Sequence, residues 1–353
     1  MKVDTKLGPI NCQPVKGIPV AFRAESLASD DRASNGPTPS PFLSSSNVPS
    51  PKHPTTHRRV RLPILLFILT CVSTFIAGTT KWTPMVLIGE SLSEGNLMPV
   101  RRALLTNWSE GITFMACLLA ILLTHEMGHF LTTVRYKIPA SLPFFLPLPI
   151  SPIGTLGAVI GMDGRQANRK ETFDIGIAGP IAGLLVAIPI TWVGVAKLNL
   201  ETPQHGLLEV NLPLALQAAV LIQHSNAGEL SESISQGQLN PYLMAGWVGL
   251  LITGLNMLPI SQLDGGHVIY TLFGKHSHWF ARGVLALAVA FVVVNFQDAW
   301  GWMIMISLIL LIGPDHPPTR DDLVPLGWFR VILGIASLFI PIACFPPIPF
   351  QIP

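Results

Sequence analysis

The chain has 353 residues, of which 49% are hydrophobic and only 12% charged. A soluble globular domain carries about 25% charged residues, so a polytopic membrane protein is expected instead. A net charge of +2, with no basic patch interleaved with aromatics, argues against nucleic-acid binding. Four scattered cysteines (Cys12, Cys71, Cys117, Cys344), without CxxC spacing, offer no disulfide framework.

Residues 1–60 are rich in Ser and Pro and lack apolar periodicity, so a disordered N-terminal tail is expected there. The first apolar run comes too late for a secretory signal; an organelle transit peptide stays an alternative, with Glu25, Asp30 and Asp31 counting mildly against it. A transmembrane domain is expected over 61–346. His57-Arg-Arg-Val-Arg61 precedes the first span, Leu62 to about Thr79, and by the positive-inside rule places that end in the cytoplasm. Residues 80–110 read as a mixed outside loop. The second span, Gly111–Leu131, carries His125-Glu126-Met-Gly-His129 near its cytoplasmic end.

On a helix His125 and His129 lie one turn apart and project from one face at metal-ligand separation. Glu126 follows the first histidine and can reach a water held by that metal. This is the zincin pattern of two zinc ligands and a general base. An ionisable residue at the centre of a membrane helix costs roughly 2.5–3.5 kcal/mol on insertion scales, which makes three of them in one apolar run a functional signal.

Residues 132–173 carry Arg135, Lys137, Arg165, Arg169 and Lys170 and belong on the cytoplasmic side. Within them, Ile138–Met162 is apolar but holds five prolines, which forbids a continuous helix. Gly154-Thr-Leu-Gly157-Ala-Val-Ile-Gly161 alternates like a strand pair, so a re-entrant or β-hairpin-like segment is expected after the second span. Asp174–Ala196 is the third span. Its Gly179-Pro-Ile-Ala-Gly183 reads as a small-residue face for helix packing.

Residues 197–240 read as a polar outside loop with an apolar patch at Leu212–Ile222, and Pro241–Leu258 as the fourth span. Phe280–Phe296, Trp300–Ile312 and Gly327–Phe345 complete about seven transmembrane helices in an otherwise all-α protein, with a polar turn, 313–322, before the last. A hydrolytic zinc needs a third protein ligand. Past Pro259 the chain can unwind and turn Asp264 inward, and loop charges put Asp264 at the depth of the two histidines. Standing alone, Asp264-Gly-Gly would also read as an ordinary turn.

Taken together, His125-Glu126-x-x-His129, Gly176-Ile-Ala-Gly179-Pro180 and Asn256-x-x-Pro259-x-x-x-Leu263-Asp264-Gly265 resemble the site-2 protease family of intramembrane zinc metalloproteases. The resemblance covers about 111–267, the catalytic core, leaving 62–79 and 280–345 as accessory spans. It implies one Zn2+ held by His125, His129 and Asp264, with Glu126 as the catalytic base. Loops of this size have no room for the PDZ or CBS domains of many members. The layout is similar to the branch that includes chloroplast gravitropism-deficient proteins and bacterial relatives. That implies a bacterial cell membrane with the N-terminus and active-site opening cytoplasmic, or alternatively a chloroplast membrane.

Asn256, about two turns before Asp264, is a candidate donor to the substrate backbone or oxyanion, or else a plain interhelical hydrogen bond. The implied substrate is a membrane protein with an unwindable transmembrane segment, because a helical peptide bond is shielded by its own turns. His267 reads as a turn residue or as a neighbour supporting the metal ligands, and His316 as a solvated turn residue. The competing classes are a non-catalytic zinc-binding membrane scaffold and a metal transporter. A transporter should carry ionisable residues along its other spans, and the fifth to seventh have almost none.

Overall fold

The computed structural model describes residues 60–198, 208–260, 262–299, 302–313 and 315–351. The expected N-terminal tail lies outside the described residues. The fourteen described α-helices begin with α1 (Arg61–Thr79), α2 (Pro84–Glu94), α3 (Met98–Thr106), α4 (Trp108–Arg135) and α5 (Arg169–Ala196). They continue with α6 (Leu214–Gln223), α7 (Ala227–Ser235), α8 (Pro241–Asn256), α9 (Asp264–Phe273) and α10 (Ser277–Val294). The last are α11 (Phe296–Ala299), α12 (Trp302–Ile312), α13 (Trp328–Ser337) and α14 (Ile340–Cys344). Four short strands accompany them: β1 (Phe144–Pro147), β2 (Thr155–Val159), β3 (Glu209–Val210) and β4 (Phe350–Gln351).

Against the expectation of about seven spans, four helical stretches among the described residues are long and apolar enough to cross a membrane. They are Arg61–Thr79, Trp108–Arg135, Arg169–Ala196 and Asp264–Val294. The expected fifth span is therefore longer than its apolar run: the helical stretch starts at Asp264 and bends through a 3-10 turn at Gly274–His276. The expected sixth is an 11-residue helix, α12. The expected seventh is divided into α13 and α14. The expected fourth, α8, has 16 residues, about 24 Å at 1.5 Å per residue, short of a bilayer's apolar thickness. Its run from Leu243 to Leu251 is wholly buried, so its hydrophobicity serves contact with protein on all sides. The two expected loops also contain helices, α2 and α3 in one, α6 and α7 in the other.

The core is formed by α4, α5 and α8, with α1 against α4 and α9 against α5. Small residues allow this closeness. A Cβ on Gly128 of α4 would lie 2.6 Å from the Ala178 carbonyl oxygen of α5, and one on Gly194 of α5 2.5 Å from the Leu243 amide of α8. α5 starts on a capping box, in which the Asn168 side chain accepts from the Glu171 amide and Glu171 accepts from the Asn168 amide.

β1 and β2 form the antiparallel hairpin that the proline and glycine pattern indicated, with Phe144 opposite Val159 and Phe145 opposite Ala158. Its turn presses on α1. The Ser73 hydroxyl donates to the Gly154 carbonyl, and Gly154, at φ +80°, would bring a Cβ to 2.7 Å from the Ser73 oxygen. Phe145 packs edge-on against Phe67 of α1 at 5.1 Å. A second, two-residue pair joins β3 to β4, and Asn211 beside β3 accepts the indole N–H of buried Trp247 on α8. Sequence periodicity gave no sign of that pair.

Candidate metal centre

The 28-residue α4 carries an apolar stripe, and His125, Glu126 and His129 are all buried on it toward α5 and α8. The other half comes from the break after α8. Asn256 ends that helix, Pro259 has no amide hydrogen to continue it, and the chain runs unwound until Leu263. Asp264 is the first residue of α9, where a carboxylate also meets the positive end of the helix dipole.

Asp264-Gly-Gly, which standing alone reads as an ordinary turn, here begins a helix. A Cβ on Gly265 would lie 2.0 Å from the Met257 carbonyl oxygen, so the glycine lets α9 start directly against the end of α8. That close approach aims Asp264 at α4.

Three potential ligand atoms converge. His125 Nε2 lies 3.2 Å from His129 Nε2 and 3.2 Å from Asp264 Oδ2, and His129 Nε2 lies 3.3 Å from Asp264 Oδ1. Zinc–nitrogen and zinc–oxygen bonds of about 2.0–2.1 Å at tetrahedral angles separate ligand atoms by roughly 3.3 Å. The two imidazole nitrogens, and the carboxylate that turns a different oxygen to each of them, thus lie at separations that suit the ligands of a tetrahedral zinc site. The donor set fits as well: His129 Nδ1 is 2.8 Å from the Ile175 carbonyl, which accepts its proton and leaves the lone pair on Nε2. Asn256 Nδ2 is 3.4 Å from His125 Nε2 and so reaches the same point.

α5 supplies the floor. A Cβ on Gly179 would lie 2.0 Å from His129 Nε2, one on Gly183 3.0 Å from His125 Nδ1, and one on Gly176 2.8 Å from the His267 Cβ. The small-residue pattern in the third span therefore seats the histidine side chains, a role that packing alone did not reveal. Its signal was available: glycines three and four residues apart on the helix that must face the histidine pair.

A cavity of about 210 Å³ opens beside the three candidate ligands. Glu126, Asn256 and His267 face it, with Ala158 and Val159 of the hairpin on one wall and His316 and Pro317 on another. The segment bearing His316 is bound closely to the bundle. Tyr270 donates to Asp322, the Arg320 amide to the Ala167 carbonyl and the Arg169 amide to the Asp321 carbonyl. His316 stacks on Tyr270 at 4.3 Å, and burial pushes its imidazole down to about 4, so it is neutral near pH 7. In sequence His316 reads as a solvated turn residue, and the difference comes from the segment's ties to the bundle.

The basic end of the bundle lies just beyond the site, since His129 is six residues from the end of α4, about 9 Å along the axis. There Asp174 of α5 accepts two hydrogen bonds from Arg330, at 2.7 and 2.8 Å, and another from Tyr136. Burial and the Asp174 carboxylate push the Tyr136 hydroxyl above its ordinary pKa. Arg169 donates to the Thr271 and Leu272 carbonyls that end α9. These ties fix the helices that carry the candidate ligands relative to one another.

The helical His-Glu-x-x-His pair is thus joined by an aspartate from another helix, within a bundle that includes four membrane-length helices among the described residues. The chain belongs to peptidase family M50, the site-2 protease family, whose model matches residues 113–296. It is 28% identical over 306 residues to "Probable zinc metalloprotease EGY1, chloroplastic" of Oryza sativa subsp. japonica, covering 84% of this chain and 52% of that protein. It is 28% identical over 302 residues to the Arabidopsis thaliana protein of the same name, covering 83% and 54%. To "Probable zinc metalloprotease EGY2, chloroplastic" of Arabidopsis thaliana it is 29% identical over 238 residues, covering 65% and 40%. The chain thus spans about half the length of these curated relatives, from 40% to 54%.

Proposed function

We propose that this protein is an intramembrane zinc metalloprotease that hydrolyses peptide bonds in or near transmembrane segments of other membrane proteins. The observation that carries this reading is the convergence of His125, His129 and Asp264 at 3.2–3.3 Å, beside a cavity that Glu126 faces. His125, His129 and Asp264 would hold one Zn2+ per chain. When bound, that ion supplies Lewis acidity for the substrate carbonyl and lowers the pKa of water toward about 7.

Glu126 takes the proton of the attacking water and returns it to the leaving nitrogen, a transfer that needs a carboxylate within hydrogen-bond reach of both. Its burial keeps bulk water from competing for that proton. Asn256 is placed to donate its amide hydrogen to the substrate carbonyl or main chain. The substrate enters as an extended strand, since a helical bond is sheltered by its own turns. Among the described residues β2 has a strand partner, β1, on one edge, and it lines the cavity, so it supplies main-chain donors and acceptors to such a strand. In the bilayer this requires the hairpin to dip below the surface, where protein contacts satisfy its outer edge.

The basic residues at the site's end of the bundle orient it toward the cytoplasm or stroma. The relatives' names favour a chloroplast membrane over the bacterial cell membrane. Glu126 facing the cavity favours catalysis over a zinc-binding scaffold or a transporter. The test is cleavage of an apolar segment with a central Asn-Pro by purified protein, with and without a chelator. Glu126→Gln is expected to retain zinc and lose cleavage. Wild-type cleavage by that variant would remove Glu126 from the chemistry, and undiminished cleavage after zinc removal would remove the metal.

A further inference from the structure

The cavity wall holds a third histidine next to the candidate ligands, and the hydrogen bonds around it determine its tautomer. His316 Nδ1 lies 2.5 Å from the Pro317 carbonyl oxygen, which only accepts, so that nitrogen carries the proton. His316 Nε2 is then a lone pair. It lies 2.6 Å from His267 Nδ1, which must therefore be the donor. A neutral His267 accordingly has its lone pair on Nε2. Among the described residues that nitrogen has no hydrogen-bond partner, and His267 faces the cavity. Gly176 beneath its Cβ and His316 at its Nδ1 hold the ring in place.

An extended peptide entering this cavity presents two kinds of polar group. Its carbonyl has partners already, in Asn256 and the metal that the ligand set would hold. Its amide N–H needs an acceptor, because no bulk water is available inside a membrane protein. Glu126 is committed to the proton of the attacking water. His267 Nε2 is a neutral acceptor, oriented before the substrate arrives.

We propose that His267 is a substrate-positioning residue that accepts a hydrogen bond from a main-chain N–H of the unwound segment, with His316 fixing the tautomer required. The proposal rests on the peptidase reading above and adds to it the residue that recognises the peptide amide.

The test measures binding, so that it does not depend on turnover. A fluorescein-labelled apolar peptide of roughly 25 residues, long enough to span and carrying a central Asn-Pro, is titrated into zinc-loaded Glu126→Gln protein in nanodiscs. Adding His267→Asn retains a donor toward His316 and removes the acceptor. It is expected to weaken peptide binding by about 10-fold, as loss of one buried hydrogen bond should, with zinc content and thermal midpoint unchanged. His267→Gln, whose longer side chain carries an amide oxygen toward the Nε2 position, is expected to recover part of that loss. On the Glu126 background the His267→Asn effect should appear mainly in KM.

A second measurement needs no substrate: 15N NMR of His267 in the metal-free protein is expected to report a protonated Nδ1 and an unprotonated Nε2. His316→Leu is expected to turn this into a mixture. Unchanged peptide binding in His267→Asn, loss of zinc in that variant, or the opposite tautomer in the wild type would each overturn the proposal. Failure of the Glu126→Gln protein to bind any peptide, or cleavage by that protein, would instead strike the peptidase reading beneath it.

Discussion

Replacing Gly179 by alanine is the sharpest test of how the centre is built. The added Cβ would sit 2.0 Å from His129 Nε2, 2.4 Å from Cδ2 and 2.5 Å from Cε1. Ordinary carbon contacts begin near 3.4 Å, so the ring must withdraw by about 1.4 Å or the helices must part. The ring has little freedom, being buried and tied through Nδ1 to the Ile175 carbonyl. Metal–ligand distances tolerate only about 0.2 Å, so one ligand of three is lost to zinc. The expected outcome is a fall in zinc affinity of at least about 100-fold. An overpacking cost of about 1–3 kcal/mol accompanies it.

Gly183→Ala makes the comparison quantitative, because its Cβ would meet His125 Nδ1 at 3.0 Å and needs only a few tenths of an ångström. It should keep most of its zinc. Gly128→Ala collides with the Ala178 backbone and serves as a packing control: it should lower the thermal midpoint equally with and without metal. The assay is zinc content after equilibration with a competing chelator, alongside thermal unfolding in detergent with zinc and with EDTA. Gly179→Ala should lose the zinc-dependent rise in midpoint, and wild-type zinc affinity in this variant would refute the reasoning.

Other outcomes follow from the same geometry. Asp264→Ala should lose zinc in a dialysis-and-metal-analysis experiment, and unchanged content would remove it from the ligand set. Gly265→Ala, whose Cβ would lie 2.0 Å from the Met257 carbonyl oxygen, should separate α9 from α8 and lower both thermal stability and zinc content. The His316 imidazole sits at about 4 against an ordinary 6.5, so the unfolded chain binds a proton between those values that the folded chain does not. Its contribution to stability is therefore complete above pH 6.5 and is lost as the pH falls toward 4. The difference corresponds to about 3 kcal/mol. His316→Gln should flatten the fall in thermal midpoint between pH 7 and pH 4.5, and an unaltered slope would show that other groups cause it.

Sequence periodicity determined a good deal of this protein. An apolar run with His125 and His129 at i and i+4 places two imidazoles on one face by the 3.6-residue period alone, with Glu126 beside them, whatever packs against them. Proline density after that run ruled out helix and left a hairpin, which formed. Loop charge placed Asp264 at the depth of the histidines, and the two halves meet. The count of spans was less legible, because a hydrophobic run reads the same against lipid as against protein. α8 is apolar on every side and sits in the core, while α12, as far as it is described, is an apolar helix of 11 residues.

Only the tertiary structure decided the close approaches. Gly179, Gly183 and Gly265 each look like packing or turn residues in one dimension, and their partners lie on other elements. Asp264-Gly-Gly has turn composition, yet it begins a helix, because contact with the end of α8 fixes it there. His316 sits in Gly313-Pro-Asp-His-Pro-Pro, a turn whose sequence resembles a family branch but names no chemistry, and it reaches the cavity because the segment around it is tied to α5 and α9 by Arg169, Arg320 and Asp322. The sequence determined which chemical groups are present and which share a helix face, because those follow from local geometry. Their convergence to 3.2 Å across two helices depends on where side chains are absent, and that becomes visible only when the helices are placed together.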